Sequence, residues 1–171
     1  MKTLVCISGA SGAGLGLKLY KELQKTTESY LVISESAKKV LTYEEGLDDA
    51  AIEAAPSSGS FGIDVTFIAP CSMNTLAKIA CGIADTLTTR AAAVAIKEKR
   101  KLLLAPREMP LSSIALENML KLSQNGAIIA PPMMTYYSGQ QTLEDMENFI
   151  LGRWLDLSGI QNSLYKRWGD E

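Results

Sequence analysis

The sequence predicts an α/β protein built on a parallel sheet with crossover helices. Short apolar runs bounded by turn residues alternate with segments of helical periodicity along the chain. The first run also empties into a glycine-rich turn, Gly9–Gly16, that opens a helix. In order, Thr3–Ser8 reads as a buried strand and the following helix runs to about Lys25. Tyr30–Ile33 is the second strand, and Ser36 is the expected N-cap of a helix reaching about Tyr43. Glu45–Ser60 is polar and weakly periodic, a loop. Asp64–Ala69 is a strand closed by Pro70, followed by helices over Ser72–Cys81 and Arg90–Lys99. Leu102–Ala105 and Ala127–Ala130 are the remaining strands, flanking a helix over Leu111–Leu122. The last helix opens at Thr142 with Asp145 three residues on, a capping-box spacing, and runs to about Leu157. No repeat or linker divides the 171 residues, so one domain over residues 1–171 is expected, with a C-terminal helix and tail from about residue 142.

Composition narrows the function. A net charge of -2 without basic runs points to neither a nucleic-acid nor a membrane partner. The sequence shows no signal peptide and no apolar run of membrane-spanning length, so a cytoplasmic protein is expected. Three scattered cysteines, Cys6, Cys71 and Cys81, fit neither a disulfide framework nor a zinc site and read as small buried hydrophobes. The chain contains no histidine. That excludes Ser-His-Asp hydrolysis and every mechanism built on a histidine base or metal ligand.

Ligands of such sheets bind beyond the carboxyl ends of the strands. Five segments leave strands there: Gly9–Gly12, Ser34–Ser36, Cys71–Thr75, Arg107–Glu108 and Pro132–Tyr137. In Ser8–Gly14, glycines between strand and helix let backbone N–H groups and the Ser11 hydroxyl approach a phosphate at the helix N-terminus. The spacing is neither G-x-G-x-x-G nor a P-loop, and a nucleophile elbow lacks its histidine. Ser72, Asn74 and Thr75 place three polar side chains on the first turn of the next helix, more than capping alone requires. Arg90 and Lys97, seven apart, share one face of an otherwise apolar helix. Arg153 falls within the stripe Met146, Phe149, Ile150 and Leu157 of the last helix. A guanidinium buried there needs an anion, and a bound phosphate would serve. Arg107 and Glu108 end a buried strand, where charges line a site or form an ion pair. Glu44 reads as a helix-end glutamate.

Together these segments resemble the UbiX/Pad1 family of flavin prenyltransferases. The matching stretches are Ile7–Ala13, Ser57–Phe61, Ala69–Leu76, Leu87–Ala92, Ile96–Arg100, Pro106–Leu111 and Leu116–Leu120, ordered matches over nearly the whole chain. The resemblance implies a three-layer Rossmann-like (flavodoxin-like) fold, a parallel sheet with helices on both faces. It implies FMN as cofactor and acceptor, dimethylallyl phosphate as donor, and transfer of the dimethylallyl group to N5 and C6 of reduced FMN without a metal. The product would be prenylated FMN for a UbiD-type decarboxylase. By position, Gly9, Ala10, Ser11, Ser34, Ser72, Met73, Asn74, Thr75 and Arg107 match FMN-binding residues. Lys97, Tyr137 and Arg153 match residues that hold the prenyl phosphate. Arg90, Glu108 and Glu44 match further active-site positions, and with Ser11 and Lys97 they form the expected catalytic set. The resemblance also implies a homododecamer with active sites between subunits.

Arginine and lysine beside a leaving phosphate stabilise the charge released on allylic C–O heterolysis, and the flavin itself is the nucleophile. Proton removal falls to Glu44, Glu108, Ser11 or the released phosphate. Asp48, Asp49 and Glu53 form only a faint likeness to a magnesium–pyrophosphate motif. The chain departs from the family at Met133–Thr135, where a proline is usual, at Ala93 and Ala115, and in a shortened stretch between Glu44 and Gly59. These changes border the prenyl pocket more than the flavin pocket. They leave open a relative that binds FMN passively or modifies it with another electrophile. A cysteine-peptide type flavin decarboxylase shares the fold but relies on a histidine that this chain lacks.

Overall fold

In the computed structural model, which describes residues 1–45, 61–136 and 139–167, five strands pair in parallel. They are β1 (Lys2–Ile7), β2 (Glu28–Ile33), β3 (Val65–Cys71), β4 (Lys101–Pro106) and β5 (Ile128–Ile129), in the order β2-β1-β3-β4-β5. This is the order of a flavodoxin-like doubly wound sheet. Register follows the apolar runs: Val5 lies opposite Leu31 and Phe67, and Phe67 opposite Leu103. β1, β3 and β4 are buried along nearly their whole length, as central parallel strands covered on both faces must be. The outer strand β2 keeps Glu28 exposed and Tyr30 partly so.

Side-chain alternation splits the core into two layers. Leu4, Cys6, Ile68, Leu102 and Leu104 form one cluster with Leu76, Ile79, Ala91, Ala92, Ala95 and Leu122. These come from α3 (Met73–Ala80), α4 (Leu87–Lys97) and α5 (Ser113–Gln124). On the other face lies α1 (Ala13–Leu23), where a Cβ on Gly16 would stand 2.2 Å from the Ala69 carbonyl oxygen and 2.9 Å from Ile7. Only a glycine lets the helix lie that close. Thr3, fully buried, shares hydroxyl hydrogen bonds with Thr27 (2.9 Å) and Ser29 (3.0 Å), so its polar atom is satisfied at little cost.

Several boundaries differ from the sequence expectation by one or more residues, four of them for a plain local reason. The helix after β2, α2 (Glu35–Glu45), is capped by Ser34 rather than Ser36: Ser34 Oγ accepts from Ala37 N at 3.1 Å. α4 begins at Leu87, not Arg90, because Thr86 and Thr89 form a reciprocal capping box in which threonine takes the usual glutamate's place. α5 begins at Ser113 behind the Ser112 cap. β3 continues past Pro70 to Cys71, with a register shift against β4 between Ile68 and Cys71. Cys6 and Cys71 are buried as expected, whereas Cys81 is exposed at the C-cap of α3.

The described chain forms two compact units, Met1–Pro131 and Pro132–Glu171. The second holds α6 (Leu143–Ser158), whose capping box joins Thr142 and Asp145 as the spacing predicts, and which ends at Gly159 in the left-handed conformation (φ 78°). Its buried stripe is Ile150, Leu151, Trp154, Leu155 and Ser158, flanked by Phe149. This stripe is rotated from the expected one, so Leu157 and Arg153 fall outside it and are exposed. No helix among the described residues is long and apolar enough to cross a membrane.

Candidate functional site

One serine laces the carboxyl rim of the sheet together. Ser8, 2% exposed, donates from its hydroxyl to the Pro70 carbonyl (2.9 Å) and accepts from Ser72 N (2.8 Å). Its own N–H also donates to Pro70 O (3.2 Å). The tips of β1 and β3 are thereby fixed side by side. On one flank, Ser34 N donates to Ile7 O (3.0 Å). A Cβ on Gly9 would meet Ser36 Oγ at 2.5 Å, so only glycine allows the β1 loop to press against the start of α2. On the other flank, Arg107 N donates to Cys71 O (3.2 Å). Gly9, Ala10, Ser11, Ser34, Ser72, Met73, Asn74, Thr75 and Arg107 therefore line the ends of four adjacent strands.

The helix starts at this rim differ in how they are closed. Ser34 caps α2, and Ser72 caps α3 by accepting from Thr75 N (3.3 Å) and donating to Thr75 Oγ1 (3.0 Å). The Thr75 hydroxyl, used as an acceptor there, retains its own proton for donation. α1 starts at Gly12, in the left-handed region (φ 87°), with no side-chain cap hydrogen bond, and nothing lies within 4 Å of where a Gly12 Cβ would be. A helix N-terminus without a side-chain cap presents N–H groups and a partial positive charge to an anion. Ser11, Asn74 and Arg107 are exposed beside it. Ser8 is the residue that sequence reading passed over. The signal was a serine closing an apolar strand immediately before the glycine turn.

The cations are not buried. Arg90, Lys97, Arg107 and Arg153 are all exposed on the chain, which corrects the expectation of guanidiniums sunk in apolar helix faces. Among the described residues, no side chain pairs with Arg90 or Arg107, whereas Lys97 Nζ lies 2.9 Å from Glu98, whose carboxyl it holds below its ordinary value. Arg90 and Lys97 share a helix face but lie two turns, about 10 Å, apart along its axis. The last turn of α4 is tied to the amino-terminal edge of the sheet. Arg100 N donates to Ala95 O (2.9 Å) and Arg100 Nη1 to Ile63 O (3.0 Å), just ahead of β3 and β4. Lys97 thus sits roughly a strand length, about 17 Å, from the rim of its own sheet.

Glu108 is exposed beyond β4, and its Oε1 accepts from Met109 N (3.0 Å). Glu44 lies in the last turn of α2. Tyr137 and the acidic Asp48, Asp49 and Glu53 lie outside the described residues. The thiols of Cys6 and Cys71 are pushed up to about 12, chiefly by burial, so they stay protonated and are no nucleophiles.

A glycine-opened helix start and hydroxyl-rich turns, gathered at the carboxyl rim of a 2-1-3-4-5 sheet, define a protein that binds a phosphorylated cofactor. The chain belongs to the flavoprotein family, which matches residues 1–155. Within that family it is one of the UbiX flavin prenyltransferase group: flavin prenyltransferase UbiX of Campylobacter jejuni is 50% identical over 184 residues, 98% of each chain. A dodecameric FMN-dependent UbiX-like decarboxylase from Escherichia coli O157:H7 is 42% identical with a TM-score of 0.92, over 98% of this chain and 99% of that one. AnUbiX (PadA1), solved with FMN and dimethylallyl pyrophosphate, is 39% identical with a TM-score of 0.91, over 98% and 97%.

Proposed function

We propose that the chain transfers a dimethylallyl group from dimethylallyl phosphate to N5 and C6 of reduced FMN, making prenylated FMN for a UbiD-type decarboxylase. The observation that carries this reading is the rim itself, where Ser8 locks two phosphate-competent turns beside the glycine-led start of α1, which has no side-chain cap. These residues fit FMN. The N-terminus of α1, Gly9, Ala10, Ser11 and the hydroxyls of Ser34, Ser72 and Thr75 suit a phosphate and ribityl chain. Met73, Asn74 and Arg107 would border the flavin.

Bound reduced flavin supplies the nucleophile, which agrees with a chain that has no histidine and whose two buried thiols stay protonated. The protein's task is then electrostatic. Arg90, Lys97 and Arg153 take up the negative charge that develops on the leaving phosphate, and Tyr137 donates a hydrogen bond to it. Exposed cations meet that need once a neighbouring surface covers them and excludes water. Proton removal would fall to Glu44, Glu108, Ser11 or the released phosphate.

The position of Lys97 favours assembly. Because it faces away from the rim of its own sheet, it serves a phosphate bound at the rim of another copy. This supports a homo-oligomer, a homododecamer by the family expectation, with sites between subunits. We place the enzyme in the cytoplasm, where its product passes to the decarboxylase.

The test is anaerobic incubation of purified protein with reduced FMN and dimethylallyl phosphate, followed by mass spectrometry of the released flavin. A flavin heavier by one prenyl group is expected. Tightly bound but unmodified FMN would mean a passive binder instead.

A further inference from the structure

The second unit holds a cluster that surrounds Arg153. Asp156, three residues on and on the same flank of α6, lies 3.8 Å from Arg153 Nη1. Its Oδ2 accepts from the Tyr165 hydroxyl at 2.5 Å, and its Oδ1 from Asn162 Nδ2 and Arg167 Nη2, both at 2.8 Å. Arg153 Nη1 donates in turn to the Tyr165 hydroxyl oxygen at 3.5 Å. The phenol therefore bridges the two: its proton goes to the carboxylate and its lone pair faces the guanidinium.

Tyr165 is itself built into place. Its ring meets Phe149 edge-on at 5.0 Å, and the Arg167 guanidinium lies over it at 5.4 Å. It crosses α6 at Gly152, where a Cβ would stand 2.3 Å from the ring and 2.9 Å from Asn162 Oδ1. Asn162 Nδ2 also donates to Gly152 O (3.2 Å). The segment after α6 is thus strapped back along the helix on a single carboxylate. Two guanidiniums share that carboxylate.

We infer that Tyr165, oriented by Asp156, is a positioning residue that holds the Arg153 guanidinium in the attitude needed to meet the prenyl phosphate. Arg153 is half exposed at 49%, and a long exposed side chain loses rotamer freedom when it binds an anion. Anchoring one nitrogen beforehand removes part of that cost, which raises affinity without changing the chemical step. The inference rests on the proposed phosphate role of Arg153, and the test separates the two.

The full-length, FMN-loaded protein is assayed as Y165F, R153A and the double variant. The ring of Tyr165 and its packing survive in Y165F. Loss of one hydrogen bond to a charged group should raise KM for dimethylallyl phosphate about five- to tenfold. It should weaken inorganic phosphate binding, read by calorimetry, by a similar factor. kcat and FMN affinity should stay within about twofold and Tm within a few degrees. In the R153A background Y165F should add nothing further, since Tyr165 acts only through Arg153. An unchanged KM in Y165F while R153A raises it overturns the positioning role and leaves the phosphate role standing. A Y165F effect that persists at full size in the R153A background overturns it too, because it then reflects general loosening of the fold. If R153A itself leaves KM and phosphate binding unchanged, the phosphate role of Arg153 fails, and this inference with it.

Discussion

At the scale of single residues, Ser8 shows how a site is made from a packing problem. A hydroxyl at the end of a buried strand must find partners, and the partners available are the carbonyl of Pro70 and the amide of Ser72. Satisfying it sets the distance between the turn after β1 and the turn after β3. S8A should cost about 1–3 kcal/mol of stability by leaving buried polar groups unpaired. It should also weaken FMN binding, although the side chain points at protein rather than ligand. Denaturant unfolding and flavin titration check this; unchanged FMN affinity in a destabilised protein would separate Ser8 from the site. The charged residues teach the opposite lesson. The sequence marks Arg90, Lys97 and Arg153 as unusual, but periodicity alone does not tell a cation buried in a helix face from one at the edge of an apolar stripe. In α6 the true stripe runs through Leu151, Trp154 and Leu155, and Arg153 sits on its shoulder.

At the scale of elements, existence and type were legible throughout the described part of the first unit, because parallel strands buried on both faces leave uninterrupted apolar runs; the loop expected over Glu45–Ser60 lies almost wholly outside the described residues. Helix starts were legible where the cap used familiar letters, as at Thr142–Asp145, and displaced where it did not, as at Thr86–Thr89. With two serines spaced by one residue, the pattern did not reveal that Ser34 and not Ser36 caps α2. The strap after α6 was invisible in the sequence, since it depends on one glycine's missing Cβ and one carboxylate's long-range partners. That carboxylate makes the strap pH-sensitive. Burial raises the Asp156 carboxyl, but hydrogen bonds from Tyr165, Arg167 and Asn162 and the Arg167 charge outweigh it, so its folded pKa lies below its ordinary value. A depressed carboxylate contributes stability that is present above its unfolded pKa, about 3.9, and is lost as pH falls through the folded value. Hydrogen-exchange protection factors across residues 160–167, each taken against the intrinsic rate at that pH, should therefore fall below about pH 4. Equal protection at pH 7 and pH 3 would show that Asp156 does not hold the strap.

At the scale of the molecule, strand order was legible only as a class. The crossover pattern announces a parallel sheet, and the order β2-β1-β3-β4-β5 puts the ends of β1 and β3 next to each other, where the strand order reverses and such sheets bind ligands. The sequence placed Gly9–Gly12, Ser34–Ser36, Cys71–Thr75 and Arg107–Glu108 at the ends of β1 to β4 without saying that Lys97 lies at the opposite edge of the same sheet. Local spacing cannot show that, because it depends on the direction in which α4 runs back to β4. On the proposed reading, the rim serves a flavin phosphate while Lys97 lies at the far edge of the same sheet, so that catalysis would belong to the assembly rather than to one copy.

The central claim is that the carboxyl rim of the sheet binds the phosphate of FMN, and calorimetric titration of the purified protein with FMN and with riboflavin, which lacks the phosphate, tests it directly. The rim's N–H groups and hydroxyls should make FMN bind at least about a hundredfold more tightly than riboflavin. Equal affinities, or no heat with FMN in either redox state from well-folded protein, would contradict the account.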